Sequence, residues 1–330
     1  MYDTSLPPRT NNYSQAHQVG PEMKRLLVND TLNSLGERTL WNKLQDWFDL
    51  EFVGGDYMTL AAVADKKAVD ASLIIRSASW FPPIPASQNV PTIGLLQEIL
   101  AGKLRAVQDD IINSCTKVVA NSQFTRSHYS EHSNVVVIPL SIDFGLFQPG
   151  NRTNLQKELN IPDRAVCWVG ASQGPEGRVK NFEKFMNIVH RTPDISYVAV
   201  FKDEDIKDKP TNLQTFVKLP QDELVKVINA CHIGLCTSRI ESQHLAGIEM
   251  GACGLPMVVP PVGVYWQRTD LPGALIKDGD DWVSAIRATL AKTYDTKEVR
   301  DYWYKEFNDD VCKDKWSRLI KEVESGTSGS

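Results

Sequence analysis

Two glutamates with seven residues between them, Glu241 and Glu249, stand just before Ala252-Cys253-Gly254-Leu255-Pro256. A helix is predicted to start near His244, which puts Glu241 ahead of it and Glu249 inside it. Ionised carboxylates accept strong hydrogen bonds, and the first turn of a helix offers amide donors to an anion. Upstream, Arg178 and Lys180 lie in Gly-Arg-Val-Lys-Asn and could balance negative charge. By residue type alone each group also admits a plainer reading. Glu241 could be solvated, Glu249 could be salt-bridged within its helix, and Lys180 could be a surface lysine at a helix start. Other patterns carry less. His128-Tyr-Ser-Glu131-His132 matches an inverted zinc-protease motif on the helix after a strand, with no third ligand in view. Asp143-Phe144-Gly145 copies a kinase triplet without its companions. Asp203-Glu204-Asp205 and Asp278-Gly279-Asp280 read as solvated turns. No metal site is expected.

The elements that must position these groups follow from hydrophobic patterning. Apolar runs at 24–29, 49–54, 72–76, 91–97, 116–120 and 134–140 alternate with helix-like segments such as 37–48. Strands of this kind are buried on both faces of a parallel sheet. The pattern breaks at 141–151, where Gly and Pro intervene, and restarts. Strands are predicted at 165–171, 195–201, 215–219, 233–237, 256–259 and 274–277. Helices are predicted at 181–192, 221–230, 244–252, 280–293 and across 296–323. The fold class is therefore α/β, with two doubly wound domains facing each other across a cleft. The boundaries read as an arm over 1–20, a first domain over 21–145, a second over 146–295, and a closing helical segment with tail over 296–330. Trp303, Tyr304, Phe307 and Trp316 fall at helical spacing and read as packing between or within domains.

The chain has 330 residues, 42% of them hydrophobic, which suits two full cores and excludes disorder as the main state. No apolar run approaches a membrane span, and the N-terminus lacks a signal-peptide pattern. The net charge of −5 argues against a surface devoted to nucleic acid. Six cysteines without CxxC pairing read as buried thiols in a reducing compartment, hence a cytoplasmic location.

Three segments resemble the retaining, GT-B fold glycosyltransferases of family 4, also called group 1. The first is Val118 to Arg126 with its Asn121-Ser122, followed by a hinge of Pro139, Leu140, Ser141, Ile142, Asp143, Phe147 and Pro149. The second is Trp168 to Asn181, and the third is Glu241 to Pro256. The resemblance implies a nucleotide-diphosphate sugar (UDP- or GDP-linked) as co-substrate in the second domain, an acceptor in the first, no bound cofactor and no metal. It gives Glu249 the ribose diol and Glu241 the donor sugar near the reacting carbon. Lys180 takes the family lysine that balances the leaving diphosphate. The arginine that should follow Gly170 is Ala171, and Arg178 is the nearest replacement. Ser242, Gln243, His244 and Leu245 stand where the family has a glycine-rich Gly-Phe-Gly and the start of a helix, on the donor. Gly36, after the first strand, is assigned to backbone approach to the phosphates. Gln97 and Glu98, after the fourth strand, are assigned to the acceptor. The acceptor class stays open among glycan, small molecule and modified DNA base. A phage-type DNA glycosyltransferase acting on a hydroxymethylated base is one alternative, if Lys66, Lys67, Arg76, Lys103 and Arg105 gather on the acceptor side. A catalytically silent nucleotide-sugar-binding or partner subunit is another.

Overall fold

The structure is a computed structural model that describes residues 24–30, 35–55, 60–68, 70–78, 90–277, 279 and 281–326. The arm over 1–20 lies outside them. Two parallel six-stranded sheets form the molecule. The first contains β1 (Lys24–Asp30), β2 (Glu51–Gly55), β3 (Ala71–Ser77), β4 (Thr92–Leu96), β5 (Lys117–Ala120) and β6 (Val135–Val137), in the order β2-β1-β3-β4-β5-β6. Helices α1 (Leu35–Trp47), α2 (Leu60–Ala68), α3 (Gly102–Ser114) and α4 (Gln123–Ser127) connect its strands. Such crossovers keep neighbouring strands parallel and both sheet faces covered. Leu73 and Ile75 of β3 accordingly enter one core cluster and Ile74 another.

After helix α5 (Arg152–Leu159) the second sheet begins. Its strands are β7 (Val166–Gly170), β8 (Tyr197–Phe201), β9 (Leu213–Val217), β10 (Ile233–Leu235), β11 (Met257–Val259) and β12 (Gly273–Leu275), ordered β12-β11-β10-β7-β8-β9. The order reverses between β7 and β10, and ligands in doubly wound sheets settle at the carboxyl ends of strands flanking such a switch point. Its helices are α6 (Gly174–Lys180), α7 (Phe182–Arg191), α8 (Gln221–Ala230), α9 (Leu245–Ala252) and α10 (Trp282–Ala291). The predicted strands stand in both sheets, most with shorter bounds, while β1 and β3 run longer and β9 is shifted toward the N-terminus. The apolar run at 134–140 yields only the three residues of β6, because the chain leaves the sheet for the hinge.

The chain ends in α11 (Thr296–Phe307) and α12 (Asp309–Glu324), parted at Asn308, whose side chain accepts from Val311 N at 3.0 Å and caps α12. Trp303 and Phe307 of α11 belong to the second domain's core. Trp316, Leu319, Ile320 and Val323 of α12 belong to the first domain's core, beside Leu27, Leu40 and Leu44. Arg25 clasps Glu324 with bonds of 2.7 and 3.0 Å, pinning the end of α12 to the first strand. Of the four aromatics expected to pack, Tyr304 is the exposed one, and its ring stands edge-on to Phe144 of the hinge. All six cysteines are free and buried. Among the described residues no helix is long and apolar enough to cross a membrane.

Trp316 is 1% exposed in the core of a domain whose strands lie nearly two hundred residues upstream or more. Trp316→Ala should cost about 3–5 kcal/mol through the cavity it leaves. Urea titration of the variant should show the first domain melting at lower denaturant, and an unchanged midpoint would contradict this packing.

Candidate active site

The carboxyl ends of β7 and β10 and the start of α9 meet at one crevice. β7 ends at Gly170, where a Cβ would stand 2.6 Å from the Trp168 ring and 3.2 Å from Lys180 Cγ. A side chain there would collide with the Trp168 ring and crowd the lysine stem. The loop that follows is held by Asp203, whose carboxylate accepts from the amides of Ser172 at 2.9 Å and Gln173 at 2.8 Å. Burial pushes the Asp203 carboxyl up, but these amide donors outweigh it and hold it below its usual range. The acids at 203–205 read as a solvated turn in the sequence; the first of them instead fixes this loop.

Residues 174–180 form α6, which the sequence pattern does not announce because Gly174, Pro175 and Gly177 are poor helix formers. Lys180 therefore ends a helix and does not open one, and a cation suits that end of the dipole. It is also not a surface lysine. The Trp168 indole donates to Thr237 Oγ1 at 3.0 Å, and Thr237 donates to the Lys180 carbonyl at 2.8 Å. The amide of Arg239 donates to the Val179 carbonyl at 2.9 Å. These bonds stitch the loop after β10 to the end of α6.

Lys180 Nζ then lies 2.7 Å from Glu241 Oε1, which also accepts from Ser238 Oγ at 2.7 Å. Side-chain exposures are 17% and 10%, so the pair is largely shielded. Burial works against both charges. The attraction wins on both sides: it holds the Glu241 carboxyl below its usual range and the Lys180 ammonium above its own. The site thus keeps a full negative and a full positive charge in contact.

The two residues after Glu241 bridge the domains. Ser242 Oγ accepts from Asn121 Nδ2 at 3.0 Å, and its carbonyl accepts from Ser122 Oγ and Thr125 Oγ1. The Gln243 amide pairs twice with the backbone of Leu140, accepting at 2.8 Å and donating at 2.7 Å. Its polar atoms are engaged at the hinge and not presented to a donor molecule. Gly263, at φ 56°, packs so close that a Cβ would sit 2.8 Å from the Gln243 carbonyl. His244 caps α9 in the left-handed region at φ 74°, where a side chain is strained and glycine is at ease. Its Nδ1 shares a 2.6 Å hydrogen bond with Tyr265 Oη. Burial lowers the imidazole to about 4, leaving it neutral at pH 7.

Glu249, inside α9, lines an interdomain cavity of about 210 Å³ with Leu245, Gln221, Lys43, Ser141 and Asp143. Burial raises its carboxyl to about 7. Arg178 stands apart from this group. It is exposed and lines a separate hollow with Ser172, Asn181 and Arg239. The structure does not bring it to the Lys180–Glu241 pair, since α6 presents residues 178 and 180 in different directions. Gly36 lies within α1 and not in a loop; residues 31–34 fall outside the described ones. Gln97 and Glu98 follow β4 at the carboxyl end of the first sheet, and Gln97 Nε2 is buried with no hydrogen-bond partner among the described residues.

Cys236, Glu241 and His244 bring possible ligand atoms within 4.8 Å of one another. Burial pushes the Cys236 thiol up to about 12, and Lys180 already neutralises Glu241, so this donor set suits an ammonium better than a metal ion. The histidine pattern at 128–132 lies in a turn, because α4 stops at Ser127. There Asp109, Glu131 and His132 cluster around Arg105, whose Nε is 2.7 Å from Asp109.

Tyr265, Thr237 and Ser238 were not singled out by sequence patterning, and Asp203 read as part of a solvated turn; each acts by supporting a neighbour. Asn121 and Ser122 do stand in a noted motif, and their bonds to Ser242 give it a physical role.

No protein-family model matches the chain. It is similar to the "D-inositol 3-phosphate glycosyltransferase" of Segniliparus rotundus, at 23% identity over 47% of this chain and 39% of that protein. It is also similar to the protein of the same name from Mycobacterium sp. (strain KMS), at 25% identity over 57% of this chain and 48% of that protein. The chain spans about half or less of the length of these curated relatives. Among solved structures, Anabaena Alr3699/HepE in complex with UDP covers 91% of this chain and all of its own, with a TM-score of 0.74 and 14% identity. The sucrose-phosphate synthase of Thermosynechococcus elongatus covers 92% with a TM-score of 0.70 and 13% identity. The fold is GT-B. Within that class, the chain resembles the group 1, or family 4, glycosyltransferases.

Two outcomes test this geometry. Gln243→Ala leaves both Leu140 backbone groups unpaired and should destabilise the protein by about 1–3 kcal/mol, read as a lower melting temperature. Glu249 has a folded-state value raised from 4.5 to about 7. The stability this shift contributes is complete at low pH and is lost as pH rises through 7. Glu249→Gln should therefore match the wild type near pH 4 and exceed it at pH 8 by on the order of 1–3 kcal/mol. A constant difference across that range would contradict the raised value.

Proposed function

We propose that the chain is a glycosyltransferase that moves a sugar from a nucleotide-diphosphate sugar to an acceptor hydroxyl, with retention of configuration and without a metal ion. The observation that carries this reading is the shielded Lys180–Glu241 contact at the switch-point crevice, where the Lys180 charge also acts on Glu249. Lys180 supplies the fixed positive charge that a departing diphosphate requires, in a low-dielectric setting where it counts most. Glu241 holds the donor sugar beside the reacting carbon. Glu249, once ionised, takes the two hydrogens of a ribose diol. The C1–O bond to the diphosphate breaks as the acceptor oxygen bonds to C1 on the same face, and a departing phosphate oxygen receives the acceptor's proton.

The second domain, over 146–295, binds donor, and the first, over 21–145, binds acceptor, with Gln97 and Glu98 at its edge. The solved relative captured with UDP-glucose favours a UDP-linked donor. Three of the five basic side chains that a DNA acceptor would call on are buried or paired elsewhere. Arg76 is 1% exposed, Lys67 pairs with Glu51, and Arg105 pairs with Asp109 and Glu131. The bridging use of Ser242 and Gln243 favours a silent binding subunit, but the intact charge pair favours turnover.

A thermal-shift screen of UDP-, GDP-, ADP- and dTDP-sugars should pick out a UDP-sugar, because a ligand well above its dissociation constant stabilises the folded state. Lys180→Ala should then slow release of nucleotide by about 10²–10³-fold. If no donor shifts the melting temperature, the reading fails; binding without turnover would favour the silent subunit.

A further inference from the structure

A second charged cavity, of about 300 Å³, opens at the amino-terminal ends of β7, β10 and β11, the sheet edge opposite the crevice. Arg152, Asp163, Arg164, His232, Lys292 and Tyr294 line it. Three permanent cations thus face one carboxylate. Two polar atoms here are buried without a hydrogen-bond partner: Arg152 Nε, on the first residue of α5, and His232 Nδ1, in the turn before β10. Buried unpaired donors and acceptors are costly and rare, and each calls for a partner. The His232 Nε2 atom lies 3.3 Å from the Asp163 carboxylate, which only accepts, so the proton is favoured there and Nδ1 is left as an acceptor. Burial, with Arg152 nearby, favours that neutral imidazole. Arg164 holds the left-handed region at φ 60° and donates to the Leu290 carbonyl, anchoring the turn.

We propose that this cavity binds a phosphate-bearing anion, either inorganic phosphate or a phosphate monoester. Oxygens of the phosphate accept from Arg152 and neutralise the surplus cations. A protonated phosphate oxygen donates to His232 Nδ1: inorganic phosphate always carries one at neutral pH, and a monoester binds as its monoanion. Sulfate carries no such proton at neutral pH, so the pair of orphan atoms selects phosphate over sulfate.

Calorimetry on the full chain, at pH 7 and fixed ionic strength, tests this with inorganic phosphate, glucose 6-phosphate and sulfate in separate arms. Inorganic phosphate should bind at least about tenfold tighter than sulfate, and Arg152→Gln should weaken it by about tenfold. Tighter binding of the monoester would identify that source, and equal or weaker binding would identify the free ion. Lys180→Gln, in the opposite crevice, should leave phosphate binding unchanged. Because Arg152→Gln could disturb α5, the exposed Lys292→Gln serves as the second variant, with a several-fold loss expected. Absence of phosphate binding, equal affinity for sulfate, or loss on Lys180→Gln with retention in both cavity variants would overturn the proposal.

Discussion

A carboxylate cannot stay charged in a shielded pocket unless a partner meets it. Glu241 stays charged because Lys180 reaches it, and that single contact constrains much of the second domain. The lysine must end α6, so a short helix forms from residues that scarcely favour one. Gly170 must be bare, because a side chain there would collide with the Trp168 ring and crowd the lysine stem. Thr237 must take a hydrogen from Trp168 and pass its own to the Lys180 carbonyl. The loop after β10 and the end of α6 are consequently one unit, and Ser238 completes the coordination of the carboxylate.

The same loop runs on to join the two halves of the molecule. Ser242 and Gln243 form hydrogen bonds with residues from 121 to 140, while α12 packs from the other side into the first core. The hinge itself is not loose chain. Ile142, Phe144 and Phe147 are buried in the second domain's cluster, and Arg300 donates to the carbonyls of Phe144 and Phe147 at 2.7 and 2.6 Å. The two domains are therefore joined by three connections, each with buried apolar or paired polar groups.

Much of this was legible beforehand. Buried parallel strands announce themselves as apolar runs, and both sheets followed from that pattern. Glu241, Glu249 and Lys180 were picked out through a motif, and the structure sets Glu241 and Lys180 in contact. What escaped notice has a common cause. Asp203, Thr237 and Tyr265 act through loops that meet only after folding, so no spacing along the chain links them to their partners. Arg178 stands apart from the pair because proximity in sequence to Lys180 does not mean a shared direction on a helix. The hydrogen bonds of His244 and Gln243 depend on backbone conformation and on the opposite domain, which spacing does not reveal.

The return of α12 also orders events during synthesis. Strands β1 to β6 leave the ribosome long before residues 309–324 exist, yet their hydrophobic interior lacks Trp316, Leu319, Ile320 and Val323 until then. Domains ordinarily fold as units, the N-terminal one first. Here the nascent leading half must keep an apolar surface uncovered while the entire trailing half is translated, so the half made first is the last to be completed.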